Sequence, residues 1–335
     1  MQMATTASTR TSPRHFLTRY DVTGVVEEPG EWSIAAEVFV PASAFEAEHV
    51  VVLCCTPGGG CTGRYFDLGG PDSGYSFAGY AVAAGFACVL IDNLATGQSS
   101  PGNPWVSPQS IAAANAEGFA LATAELRALL LISATVTTVG VGHSMGAMLT
   151  LIGQVMADQH AAIACLGFTP AGLPNMLSAE ELRIAAAGSV SADTLERLAR
   201  QRFAGMTEPA DKQRAQEPFP FTLPDTDPAG LAALAATATN LLPLPAILSL
   251  LPGNVVEYIR QITVPVFLGG GDHEPWHQAG ELVPIFEACD DISFYTLVDA
   301  AHNHNVAGTR ELLWQRLLGW AALVTADHAS GRTTP

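Results

Sequence analysis

Apolar residues recur along the chain in short runs that alternate with stretches of helical spacing. Six apolar runs predict buried strands at 49–55, 86–93, 137–143, 161–168, 263–271 and 292–300. Apolar residues three and four positions apart predict helices at 75–85, 109–132, 145–158 and 307–325. Strands that alternate with helices in this way predict an α/β fold, a mostly parallel sheet with helices on both faces.

The alternation is interrupted in one long segment and is absent from the first residues. Residues 170–262 contain ten of the 22 prolines and no convincing buried strand, which indicates several short helices inserted between two strands. Residues 20–41 alternate around a Pro-Gly turn and predict an opening hairpin. We therefore expect a flexible tail at 1–19, a core made of 20–169 and 263–327, and a helical cap at 170–262.

Composition and charge exclude several classes of partner. The 335 residues are 48% hydrophobic, enough for a sizeable core, and 15 basic against 32 acidic residues give a net charge of −17. Such a surface repels phosphate backbones and anionic lipid, so we expect no nucleic-acid partner. The longest apolar tract, 241–251, is short and contains two prolines, so we expect no membrane insertion.

The cysteines and the first residues bear on compartment. Four of the six cysteines lie in strand-like apolar runs, and none has zinc-ligand spacing, as is typical of reduced core thiols. The first twenty residues lack the apolar stretch of a signal peptide. We expect a cytoplasmic protein, and the acidic surface is compatible with a monomer or a homodimer.

One short motif carries the strongest chemical signal. Gly142-His143-Ser144-Met145-Gly146 lies between a predicted strand and a predicted helix. A turn this tight needs small residues on both sides of the serine and lifts the serine oxygen above the sheet edge. Ser144 is therefore the candidate nucleophile, and the amide of Met145 is a candidate donor to an oxyanion.

A serine nucleophile needs a base, and the base needs a carboxylate to hold it. His302 comes directly after the last predicted strand and is preferred to His304. Asp272 comes directly after the preceding strand and is the first candidate for the carboxylate, with Glu274 as the alternative. Asp299 qualifies only if the usual chain order is broken.

A glycine loop follows the first buried strand of the core. Pro57-Gly58-Gly59-Gly60 would allow backbone N–H groups to approach a bound carbonyl closely. We expect Gly59 or Gly60 to supply the second oxyanion donor beside Met145, and the sequence leaves the register between them open.

Taken together, these motifs resemble the α/β-hydrolase superfamily over residues 49–168 and 263–325, with the insertion in the position of the family's cap. The turn at 92–99 also resembles one of that family, and we assign it a structural role. The glycine loop departs from the family's commoner form, since Pro57-Gly58 stands where His-Gly is frequent. The resemblance implies a serine hydrolase that uses no metal or organic cofactor, with Ser144 as nucleophile, His302 as base and Asp272 as its partner.

The cap suggests an apolar substrate. It is rich in leucine, and ligand sites are mostly apolar and often lie between domains. Leu244, Leu248 and, outside the cap, Trp276 are candidates to line the site. We expect hydrolysis of a carboxylic ester or lactone of a hydrophobic small molecule through an acyl-enzyme. The alternatives are a carbon–carbon bond hydrolase of ring-cleavage products, a non-catalytic ligand-binding protein and a lipase at a lipid surface.

Overall fold

The computed structural model describes residues 12–130, 134–188, 190–203, 221–274 and 279–329. An eight-stranded sheet runs through it in the order β1-β2-β4-β3-β5-β6-β7-β8. The strands are β1 (Arg14–Asp21), β2 (Ser33–Val40), β3 (His49–Thr56), β4 (Ala87–Ile91), β5 (Thr135–His143), β6 (Ala162–Leu166), β7 (Val266–Gly271) and β8 (Ile292–Leu297). Only β2 pairs antiparallel, with β1 and with β4, so the predicted mostly parallel sheet is confirmed.

The helices cover both faces of the sheet. They are α1 (Phe77–Ala83), α2 (Pro108–Leu129), α3 (Met145–Ala157), α4 (Ala179–Ala186), α5 (Ala192–Phe203), α6 (Pro228–Ala235), α7 (Pro243–Leu250), α8 (Val256–Ile259) and α9 (Arg310–Ala329). Serine side chains cap several of them: that of Ser76 accepts from the amide of Gly79, that of Ser107 from the amide of Ser110, and that of Ser178 from the amide of Glu181. The four predicted helices and all six predicted strands are present.

The parity of side chains along β3 shows why the central strands are continuously apolar. Val52 and Cys54 point to the face covered by α2 and α3, whereas Leu53 and Cys55 point to the face covered by α1 and α9. Successive side chains of a strand alternate in direction, so a strand covered on both faces needs apolar residues at every position. The cysteines predicted in strands are free thiols and buried.

The N-terminal boundary was predicted wrongly. Residues 14–19 are not a tail, because they belong to β1, which pairs with β2 from Arg14 opposite Val40 to Asp21 opposite Ser33. The strand lies at the edge of the sheet, and its half-buried side chains alternate with exposed ones. Edge strands carry polar residues on the side that faces solvent, so the sequence of residues 14–19 is polar enough to resemble a tail.

Helices α4 to α8 lie between β6 and β7, where the cap is predicted. Within it, α5 packs on α7 through a small apolar cluster that contains Leu198, Phe203 and Ile247. Near its end, Ile259 and Ile262 pack instead into the main core. The boundary at 262 therefore stays a prediction. No helix in the described ranges is long and apolar enough to span a membrane.

Candidate active site

Ser144 occupies a strained turn between β5 and α3. Its backbone has φ 56° and ψ −124°, a conformation that favours glycine and costs another residue about 1–3 kcal/mol. Its amide donates to the carbonyl of Leu166 at 2.8 Å, which ties the turn to the end of β6. The serine is half-buried rather than sealed in the core.

The two glycines of the motif are required by close backbone contacts. A β-carbon at Gly142 would lie 2.4 Å from the α-carbon of Ala147, inside the turn. A β-carbon at Gly146 would lie 2.2 Å from the carbonyl oxygen of Thr56 and 2.5 Å from that of Pro57. The spacing of the motif is therefore a packing requirement that brings the serine against the end of β3.

The carboxylate beside His302 belongs to Glu274. Nδ1 of His302 lies 3.0 Å from Oε2 of Glu274, and the glutamate side chain is only 2% exposed. A β-carbon at Gly167, one residue beyond β6, would touch both side chains, so the pair sits next to the residue that binds the Ser144 amide. Ser144, Glu274 and His302 thus follow β5, β7 and β8 at one edge of the sheet, where the carboxyl ends of its parallel strands meet.

The prediction that Asp272 orients His302 is wrong. The carboxylate of Asp272 instead accepts from the amides of Asp299 and Ala300, each at 3.1 Å, and its side chain is 34% exposed. The amide of Asp272 donates to the carbonyl of Leu297, the last residue of β8, and the amide of His273 donates to the carbonyl of Ala300. This pairing turns the Asp272 side chain outward, and the longer Glu274 side chain reaches back to the histidine.

Glu274 is held as a carboxylate. Burial by itself would raise the pKa of Glu274, but the attraction of His302 and hydrogen bonds with His302 and His304 bring that pKa well below its ordinary value. Its second oxygen, Oε1, lies 2.8 Å from Nε2 of His304. Both histidines considered in the sequence therefore meet the same carboxylate.

A neutral histidine supports the backbone of His302. Nε2 of His143 lies 2.9 Å from the carbonyl oxygen of His302; because a carbonyl only accepts, that nitrogen carries the proton. The ring stacks on Tyr65, with centroids 4.3 Å apart. Burial, reinforced by repulsion from His302 and His304, holds the pKa of His143 well below its ordinary value. His143 is thus a structural neighbour of the site.

The glycine loop (residues 57–62) lies against the Ser144 turn. A β-carbon at Gly58 would lie 3.2 Å from the β-carbon of Ser144, and one at Gly59 would lie 3.5 Å from the sulfur of Met145. Gly60 has φ 74°, and its carbonyl accepts from the amide of Thr239 at 2.8 Å. The loop is therefore beside the serine, as expected, with Gly59 next to Met145 and Gly60 bound to the cap.

The cap is anchored on this loop and contributes residues that the sequence did not single out. The amide of Thr62 donates to the carbonyl of Thr237 at 2.9 Å, and a β-carbon at Gly59 would lie 3.2 Å from Leu241. Phe221 places its ring 5.0 Å from that of His302, and its carbonyl accepts from the amide of Asn303 at 3.0 Å. Nothing in the local pattern around Phe221 marks it for this position.

Two of the three predicted pocket residues lie in the described part of the chain. Leu244 is buried in the α5–α7 cluster, and Leu248 packs partly against that cluster and partly against the core. Trp276 lies outside the described residues. The turn at 92–99 has its expected structural role, because Asp92 accepts from the amides of Gly63 and Gln98.

The described part of the chain contains one group of side chains close enough to share a cation: Asp272, His273 and Asp299, all exposed. Exposed acidic groups often gather in this way without an ion, so the group carries no assignment.

Comparison with known proteins places the fold. A model of the alpha/beta hydrolase family matches residues 51–312. Among solved structures, the chain is similar to a thermophilic esterase from Thermogutta terrifontis (15% identity, TM-score 0.55, covering 92% of this chain and 99% of that one). It is also similar to a haloalkane dehalogenase variant from Bradyrhizobium elkanii (16% identity, TM-score 0.58, covering 94% of this chain and 99% of that one). A third similar structure is a bromoperoxidase from Bacillus anthracis (15% identity, TM-score 0.60, covering 92% of this chain and 100% of that one).

The comparison with curated protein sequences finds no match. Likeness at these identities establishes a fold and leaves the reaction open, since one fold hosts many chemistries. The family match spans most of the chain, and the sheet order and the strained serine turn agree with it. The chain therefore belongs to the alpha/beta hydrolase family.

Proposed function

We propose that the protein is a serine hydrolase that cleaves a carboxylic ester or lactone of a hydrophobic small molecule through an acyl-enzyme. The observation that carries the proposal is the buried Glu274–His302 pair at 3.0 Å, next to a serine held in a strained turn. A hydroxyl is a weak nucleophile, and a base oriented by a carboxylate is what activates it.

The reaction follows from the placement of these groups. The Oγ atom of Ser144 attacks the carbonyl carbon while Nε2 of His302 takes the hydroxyl proton. Glu274 holds the other ring nitrogen, so it fixes the tautomer and stabilises the imidazolium. His302 then returns the proton to the leaving alcohol, and water attacks the acyl-enzyme with the same histidine as base.

The amides of Met145 and Gly59 are the proposed oxyanion donors. Gly59 lies against Met145, whereas Gly60 turns its carbonyl to Thr239 of the cap. Backbone donors fixed in this way need no rearrangement when charge develops on the carbonyl oxygen.

Apolar side chains around the site favour a hydrophobic acyl group. Leu241 lies over Gly59, the ring of Phe221 packs on His302, and Met145 is the residue after the serine. An ester whose acyl chain meets these side chains loses apolar surface to water on binding, worth about 25 cal/mol per Å².

The alternatives receive less support. A carbon–carbon bond hydrolase would use cationic side chains for its acidic substrate, yet three cap arginines are paired with carboxylates: Arg197 with Glu180, Arg200 with Glu196 and Arg202 with Glu181. A non-catalytic binding protein would not need the buried Glu274–His302 pair. A dehalogenase of this fold would carry aspartate at position 144.

The test is active-site labelling. The purified protein is incubated with a fluorophosphonate probe, the label is located by peptide mass mapping, and p-nitrophenyl esters of increasing chain length are assayed. We expect label on Ser144 that Ser144→Ala and His302→Ala abolish. The exposed Ser43, replaced by alanine, serves as a matched control and should leave labelling unchanged. A folded protein that neither labels nor hydrolyses any ester would refute the proposal.

A further inference from the structure

A second buried histidine, His304, contacts the carboxylate oxygen of Glu274 that His302 does not contact. Nε2 of His304 lies 2.8 Å from Oε1 of Glu274, while Nδ1 of His302 lies 3.0 Å from Oε2. The side chains of His304 and Glu274 are 1% and 2% exposed. Solvent is therefore excluded from this contact.

The contacts of the two ring nitrogens determine which of them carries the proton of His304. A carboxylate only accepts, so the 2.8 Å contact requires a proton on Nε2. The amide of Gly271, 3.2 Å from the same nitrogen, would donate to it only if Nε2 carried no proton. An unprotonated Nε2 would turn its lone pair toward the carboxylate oxygen at 2.8 Å, which is repulsive, so the charge-assisted hydrogen bond to Glu274 sets the tautomer. Within the described chain Nδ1 of His304 is buried without a hydrogen-bond partner, so a proton there would go unmatched. His304 is consequently a donor to Glu274.

Glu274 needs such a donor more than an aspartate would. Asp272 is held by two backbone amides, whereas the hydrogen bonds described for the Glu274 carboxylate come from the two histidines. A glutamate also has one more rotatable bond to restrain than an aspartate, and ordering it costs conformational entropy.

His304 is itself held firmly. Its ring meets that of His143 edge-on at 5.5 Å, and the amide of Ala307 donates to its carbonyl at 3.1 Å. Among the described residues, the titratable side chains beside His304 and Glu274 include His143, His302 and Tyr65. The result is a rigid donor aimed at the free oxygen of the glutamate.

We propose that His304 is a positioning residue for the proposed ester hydrolysis. It holds Glu274 through Oε1, so that Oε2 faces His302. The inference rests on the proposed function. His304 touches no reacting atom; it acts through the glutamate.

The first test replaces the donor with an aromatic ring that has no N–H group. In His304→Phe the carboxylate loses one of its hydrogen bonds, and we expect kcat to fall on the order of 10²-fold with little change in KM, the usual consequence of misplacing a catalytic group. His304→Gln restores an N–H near the position of Nε2 and should recover most of that loss. A buried histidine remote from the site, His160, supplies the control: His160→Gln should leave kcat unchanged.

The second readout is the pH profile. A carboxylate with one donor fewer is a stronger base and stabilises the protonated form of His302 more. The acidic limb of kcat/KM should therefore move to higher pH in His304→Phe. It should stay in place in His160→Gln, because a general loss of stability does not move this limb.

The third readout is a double-mutant cycle with Glu274→Gln. If His304 acts through Glu274, His304→Phe should cost less than about threefold in kcat when residue 274 is already glutamine. Additive losses, or a His304→Phe variant equal to wild type, would overturn the inference while labelling at Ser144 still upheld the proposed function. A wild-type protein without labelling or turnover would overturn both.

Discussion

The proposed mechanism assigns the carboxylate that orients His302 to Glu274 and not to Asp272. Two carboxylates follow β7 within three residues: Glu274 contacts His302, whereas Asp272 accepts from the amide of Asp299. Glu274→Gln keeps the size of the side chain and removes its charge. Asp272→Asn is the matched change two positions earlier, at a side chain that is one-third exposed.

The magnitude follows from the geometry. With Nδ1 and Oε2 3.0 Å apart, the centres of the imidazolium and carboxylate charges lie about 4 Å apart. Such a pair interacts by roughly 4 kcal/mol at an effective dielectric constant of about 20. Losing this attraction when His302 becomes charged corresponds to about 10³-fold in rate. A carboxylate-to-amide change in a serine-protease triad costs about 10⁴-fold, which is of the same order.

The assay is kcat/KM on the best p-nitrophenyl ester, with circular dichroism to show that each variant is folded. We expect about a 10³-fold loss for Glu274→Gln. For Asp272→Asn we expect less than about threefold, because this side chain bonds to backbone amides and an asparagine oxygen still accepts one of the two hydrogen bonds, from Asp299 or from Ala300. Equal losses in the two variants, or a larger loss in Asp272→Asn, would refute the assignment of Glu274.

Three further predictions concern the framework of the site. Gly146→Ala should lose at least about 2 kcal/mol of unfolding free energy and most of its activity, because the new methyl group meets the carbonyl oxygens of Thr56 and Pro57 at 2.2 and 2.5 Å; urea denaturation with wild-type stability would contradict this. Ser144→Gly should be about 1 kcal/mol more stable than the equally inactive Ser144→Ala, because only glycine accepts φ 56° without strain; equal melting temperatures would argue against the strain. Burial lowers the pKa of His160 from 6.5 to about 3, so the neutral ring stabilises the fold above pH 6.5 and that stability is lost as the pH falls toward 3. The stability of wild type relative to His160→Gln should accordingly fall by up to roughly 1.4 kcal/mol per pH unit in this window, and a constant difference from pH 7 to pH 5 would exclude the effect.

Local physics was enough to locate the serine turn from the sequence. The strand before Ser144, the helix after it and the glycines at 142 and 146 each follow from backbone sterics over a few residues. The order of strands and helices was equally accessible, since a sheet covered on both faces requires continuous apolar runs. His302 could be placed at the end of β8 for the same reason.

What the sequence left open depends on contacts between distant segments. Asp272 and Glu274 are close in the chain, and only the pairing of residues 272–273 with Leu297 and Ala300 turns one outward and the other toward His302. Residues 14–19 become a strand only because β2 offers an edge to pair with. Phe221 contacts His302, which lies far from it in the chain. His304 contacts Glu274, which precedes it by 30 residues. Short-range sterics thus determined where Ser144 lies, whereas long-range packing decided which carboxylate and which other side chains contact His302.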